Sequence, residues 1–265
     1  MLRRVRYVCG MNVRRFHLLI ASIMIALALS ACGKEIERSP TAVPTVPREA
    51  TPAGLTAGQL ADRIAVGWEA IDRYRAETST YTVASPAAGD PTMQIVEEAI
   101  LPDQRHQVVT VDGEMQSEIV AAGGNIYGRG PAIPGVSQPN RDPNVWITIN
   151  GNVLGPNNPQ SAFYQSLLLP VEPPYSGLSE TDRARPVEEL GSVDVGGRAC
   201  EQYRIVDTSQ SGQRIEILIA LQESGLVCSI QTTAGSSTTL TVYTYDQPAE
   251  IAIPASPAPA PAENG

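Results

Sequence analysis

From Glu77 to about residue 127, over 145–149, and again from 193 to 245, apolar side chains recur at every second position, and turn residues break the alternation at short intervals. That period suits a strand with one dry and one wet face, whereas a helix needs a period near 3.6. The chain must therefore bury one face of a large antiparallel sheet. Ala88-Gly89-Asp90-Pro91, Pro102-Asp103, Asp112-Gly113 and Gly123-Gly124 punctuate the first set of runs, and Gly196-Gly197, Glu223-Ser224-Gly225 and Gly235-Ser236 the second. Val111-Asp112-Gly113-Glu114 is the strongest hairpin signal, because Asp-Gly accepts the positive φ angles of a type I′ turn.

Helical period is confined to short segments. Thr56 and Gln59 have capping-box spacing, and Leu60, Ile64, Trp68, Ile71 and Tyr74 or Arg75 follow at intervals of three and four. The pattern predicts an amphipathic helix of about five turns, with Asp62, Arg63, Glu69, Asp72 and Arg73 on its wet side. A shorter helix is expected between Pro159 and Leu169, stopped by Pro170. The prolines between Gly128 and Asn144 predict a long surface loop, and residues 170 to 185 read as irregular.

The N-terminus reads as an export signal, with Arg14 and Arg15 ahead of an apolar run from Leu18 to Leu29. That run is shorter than the ~20 residues a membrane span needs. Leu29-Ser30-Ala31-Cys32 resembles the lipobox of bacterial lipoproteins. The resemblance implies cleavage before Cys32, acylation of its thiol, and a lipid anchor on the outer side of the cell membrane. Translation from Met1 and from Met11 are both compatible with this leader. Residues 32–55 form a Pro/Thr-rich linker, residues 56–254 the folded domain, and residues 255–265 a Pro/Ala tail.

Removing residues 1–31 takes five arginines from 19 basic side chains and none from 28 acidic ones, leaving a net charge near −14. Phosphate neutralisation cannot drive binding on such a chain, so nucleic acid is excluded as a partner. With Cys9 in the leader and Cys32 acylated, Cys200 and Cys228 remain as an even pair outside the cytoplasm and are expected to be bonded. A simple meander from Gln202 to Thr233 would set them two strand spacings apart, ~9.5 Å, beyond the ~7 Å reach of a disulfide. Either Cys200 lies past the end of the middle strand or the strand order is not sequential.

Catalytic machinery is not legible. His106 is the only histidine after the leader and falls mid-strand, where a solvated position is expected. No G-x-S-x-G elbow is present, zinc has too few ligands, and Glu97-Glu98 and Glu188-Glu189 point to opposite faces of their strands. Asp142 alone makes a poor calcium site. Trp146, Tyr203, Tyr243 and Tyr245 read as packing residues before binding residues. No enzyme activity, cofactor or metal is expected.

The order of elements is informative: lipobox, linker, helix, antiparallel strands, a Trp-bearing strand, a short helix, then a second meander. Trp68-Glu69-Ala70-Ile71-Asp72-Arg73-Tyr74, Gly124-Asn125-Ile126-Tyr127 ahead of Trp146, Val193 to Cys200, and Tyr243-Thr244-Tyr245-Asp246 carry the likeness. Together they resemble the LolA/LolB and LppX/LprG superfamily of envelope proteins that carry lipids or handle lipoproteins. The resemblance implies an α+β fold, a half-open antiparallel β-barrel whose concave face is covered by a long N-terminal helix and short helices, with a cavity for a lipid or acyl chain. On each strand the more apolar parity is expected inward. This names Met93, Ile95, Met115, Ile119, Ile147, Ile217, Ile219, Leu240 and Val242, opposite Leu60, Ile64 and Trp68. The alternative is a structural or sensory interaction module whose core is filled by its own side chains.

Overall fold

The computed structural model describes residues 54–82, 86, 89–136, 142–149, 159–209, 212–248 and 250–255. The leader, Cys32, nearly all of the linker and the tail beyond 255 lie outside the described residues.

Helix α1 spans Ala57–Trp68, and Thr56 and Gln59 form the expected capping box. It is shorter than the periodicity implied. Tyr74 and Arg75 belong to strand β1 (Arg73–Tyr81), whose alternate residues happened to continue the helical spacing. β2 (Met93–Ile100), β3 (Gln104–Val111), β4 (Glu114–Ala122), β5 (Asn125–Arg129) and β6 (Ile147–Ile149) follow. After α2 (Ser161–Leu167) and the single turn α3 (Glu180–Arg183) come β7 (Glu188–Val195), β8 (Arg198–Thr208), β9 (Arg214–Leu221), β10 (Val227–Ala234) and β11 (Ser237–Tyr245). Asp112 and Gly113 both have positive φ, 49° and 82°, as a type I′ turn between β3 and β4 requires.

The eleven strands of the described residues form one antiparallel sheet in the order β6-β5-β4-β3-β2-β1-β11-β10-β9-β8-β7. β6 and β7 are its two edges and do not pair with each other, so the barrel is half-open, the fold class expected. Two consecutive meanders meet at a seam where β1 pairs with β11 along its length, from Tyr74 opposite Tyr245 to Tyr81 opposite Thr238.

The inner face carries two separate buried clusters. Beneath α1, Leu60, Ile64 and Trp68 pack on Tyr74, Tyr203, Ile219, Leu221, Val227 and Tyr243. Beneath α2, Tyr164 and Leu167 pack on Ile119, Ala121, Ile126, Ile147 and Ile149. On the outer face, Ile251 of the C-terminal segment packs on Val120 and Ala122, beside Trp146.

Cys200 and Cys228 are bonded, with Cα atoms 6.6 Å apart. The meander is sequential after all. β9 ends at Leu221, opposite Glu201, so Cys200 lies one residue past its end. Cys228 sits at a β-bulge between Val227 and Ser229. The outer strands converge there over Ala220, and the bulge turns Cys228 to the outer face.

Candidate functional site: the strip between the two cores

Between the two inner clusters lie β2 and β3. No residue of β3 is fully buried, and Ala99 alone is buried on β2. Their inner residues pair in rows: Ala99 with Arg105, Glu97 with Gln107, Ile95 with Val109, Met93 with Val111. β1 extends these rows with Tyr74, Ala76, Thr78 and Thr80. β4 extends the first three with Ala121, Ile119 and Ser117. From Arg105 to Val111 the strip runs about 20 Å. It is polar at one end and apolar at the other.

The polar end is specific. The Tyr74 hydroxyl donates to the Glu97 carboxylate. Burial, and then the charge of Glu97, push the Tyr74 phenol well above its ordinary range. This pair leans towards β1 and so away from β3. Arg105 donates from Nη2 to the Leu169 carbonyl just beyond α2, 2.8 Å away, while its Nε is buried with no hydrogen-bond partner among the described residues. Trp68 Nε1 and Thr80 Oγ1 are likewise buried without a partner among the described residues.

The residues expected to line a cavity divide three ways. Leu60, Ile64, Trp68, Ile217 and Ile219 belong to the cluster under α1, and Ile119 and Ile147 to that under α2. Leu60 and Ile219 are wholly inaccessible, so that part of the inner face is filled by the protein itself. Met93 and Ile95 alone of the expected set face the strip. Met115, Leu240 and Val242 are on the outer face. Met115 pairs with Thr110 because a bulge at Gln116 shifts the β3–β4 register, and the register flip turns it outward. Leu240 and Val242 face outward because Tyr243 and Tyr245, of opposite parity, are the residues that fill the core.

Arg105, Gln107, Val109 and Val111 were not among the expected lining residues. The Pro102-Asp103 turn, which joins β2 to β3, and the even spacing of the last three were the signal that could have placed them opposite Met93 and Ile95. A polar depression of about 640 Å³ lined by Arg198, Ala199, Gln222, Glu223 and Ser224 lies off the strip.

On the outer face His106 is half-buried between two carboxylates, Nδ1 3.1 Å from Glu98 and Nε2 2.9 Å from Glu118. Arg75 pairs with Glu98 and Arg129 with Glu118, and the Arg129 guanidinium lies 5.0 Å over the Trp146 ring. Burial raises the Glu98 pKa, but hydrogen bonds from His106 and Arg75 outweigh it and hold the carboxyl below its usual range. Asp142 accepts from the Asn144 amide at 2.9 Å and shapes its own loop. Among the described residues, no group of three metal-ligating side chains gathers.

No family model matches the chain, and no curated protein matches it. Among solved structures it is similar to the lipoprotein LppX of Mycobacterium tuberculosis, at 10% identity and a TM-score of 0.44 over 74% of this chain and 98% of that one. LprF of Mycobacterium bovis matches at 9% identity and 0.41, over 75% of this chain and 95% of that one. The MucA/MucB complex of Pseudomonas aeruginosa matches at 16% identity and 0.33, over 73% of this chain and 59% of that one. At these TM-scores the likenesses bear on neither ligand nor role.

Proposed function

We propose that this chain is an envelope lipoprotein, anchored through Cys32, that holds a lipid or other long apolar ligand along the β2–β3 strip. The observation that carries the reading is the strip itself: Met93, Ile95, Val109 and Val111 form an apolar run between two self-filled cores, and none of them is fully buried. A core that packed completely would close over its central strands. A lipid tail fits such a run because its length is comparable and it demands no fixed hydrogen bonds. Burying about ten methylenes would contribute about 8 kcal/mol before the cost of immobilising the ligand. Methionine and β-branched walls give a surface that adapts to a flexible chain.

The test is saturable uptake of a long-chain lipid by the delipidated full chain. Val109→Arg, which puts a charge in the strip, is expected to abolish uptake, and Met115→Arg on the outer face to leave it intact. If no long-chain lipid is taken up, the interaction-module reading replaces this one. The anchor is tested separately: Cys32→Ala is expected to leave an uncleaved, mislocalised precursor, and an unmodified Cys32 in the wild-type protein would refute it.

A further inference from the structure

The polar end of the strip holds a charge that forms no ion pair among the described residues. Arg75, Arg129 and Arg204, also on the sheet, each face a carboxylate. Arg105 makes no such pair among the described residues: one Nη donates to a neutral carbonyl, and its Nε is buried with nothing to donate to. Its strand neighbours on the same face are Ala99 and Ala121, whose side chains carry no group that could accept from it. The nearby carboxylate of the strip, Glu97, is engaged by Tyr74. The guanidinium is half-buried, but leaving its buried Nε without an acceptor is costly, and the least costly remedy is an anion brought from outside. Its planar set of donors suits a carboxylate or a phosphate oxygen pair.

We propose that Arg105 is a specificity-determining residue that receives the anionic head of an acyl-chain ligand, whose tail runs past Gln107 towards Val109 and Val111. This inference rests on the proposed function and narrows it to ligands bearing an oxyanion, a carboxylate or a phosphate, at one end. Leu169, whose carbonyl accepts from Arg105, is itself exposed, so a charged head beside it can stay partly hydrated. A neutral lipid would leave the guanidinium without a counter-charge.

The experiment compares three ligands of equal chain length, laurate, dodecyl phosphate and dodecanol, on the delipidated full chain and on Arg105→Gln. Glutamine removes the charge, and its amide nitrogen ends near the position of Nε, so the variant keeps a hydrogen-bond donor at the site while losing the cation. Wild type is expected to bind at least one anion about tenfold or more tighter than the alcohol, as a charge-assisted pair gives. Arg105→Gln is expected to lose that preference, its affinity for the anion falling to that for dodecanol. Preference for laurate identifies a fatty-acid head and preference for dodecyl phosphate a phospholipid-type head; either supports the proposal. Equal affinity for anion and alcohol in wild type, or a preference that survives in Arg105→Gln, overturns it and leaves the proposed function standing. Uptake of none of the three overturns both.

Discussion

Gly67, the penultimate residue of α1, rests its backbone directly on that of Gly225 in the turn between β9 and β10. A Cβ on Gly67 would stand 2.6 Å from the Gly225 carbonyl carbon, and one on Gly225, whose φ is +87°, would run into the Arg63 carbonyl. The pair sets how closely the helix approaches the sheet. Gly67→Ala is therefore expected to lower stability by about 1–3 kcal/mol, the usual cost of overpacking. The urea midpoint measures it, with Gly54→Ala, which meets nothing, as control. An unchanged midpoint would mean that the helix lifts freely.

The Cys200–Cys228 bond closes a loop with a sequence separation of 28. Replacing both cysteines with serine is expected to cost roughly 3.5 kcal/mol on the chain-entropy model. Both positions are fully buried, so the serine hydroxyls add to the loss. Peptide mapping without reductant should recover the two cysteines in one linked fragment; two alkylatable thiols in the native protein would contradict the pairing.

Acid should weaken the outer-face ladder. The folded-state pKa of Glu98 lies below its unfolded value of 4.5, so its contribution is present above that value and is lost as pH falls through the lower folded one. Glu98→Gln should be less stable than wild type near neutrality and approach it below about pH 4. A stability difference independent of pH would show that the ladder contributes through shape alone.

At the other extreme, burial raises the phenol pKa of Tyr74, Tyr164, Tyr243 and Tyr245 well above 10.0 and that of Tyr175 to about 12. The unfolded chain ionises first. Stability is thus complete below about pH 10 and falls above it by about 1.4 kcal/mol per pH unit for each such tyrosine. Phenolate absorbance should rise together with loss of structure. Ionisation of all the tyrosines well before unfolding would contradict their burial.

The elements that local chemistry dictates were legible in the sequence. The Thr56–Gln59 capping box, the Asp112-Gly113 turn and the short helix before Pro170 all rest on neighbours in the chain. Which face of a strand turns inward was legible only where the register ran without interruption. One extra residue at Gln116 turned Met115 outward, and a bulge beside Cys228 brought two cysteines within bonding reach. On β11 the simple apolar count favoured Leu240 and Val242, whereas tyrosines, amphipathic by nature, supply the bulk under α1. Arg105 was passed over because nothing in its immediate sequence distinguishes a strand arginine facing solvent from one facing the strip.

The seam between β1 and β11 joins the first strand of the chain to the last, and α1 packs largely on residues that come from β8 to β11. A chain delivered N-terminus first, whether from a ribosome or through a membrane channel, exposes the Leu60–Trp68 stripe long before its bed exists. The first meander can zip locally, but α1 has to wait for the final strand. Until then it offers an unguarded apolar surface, so that interval is when the nascent protein most needs a holding chaperone.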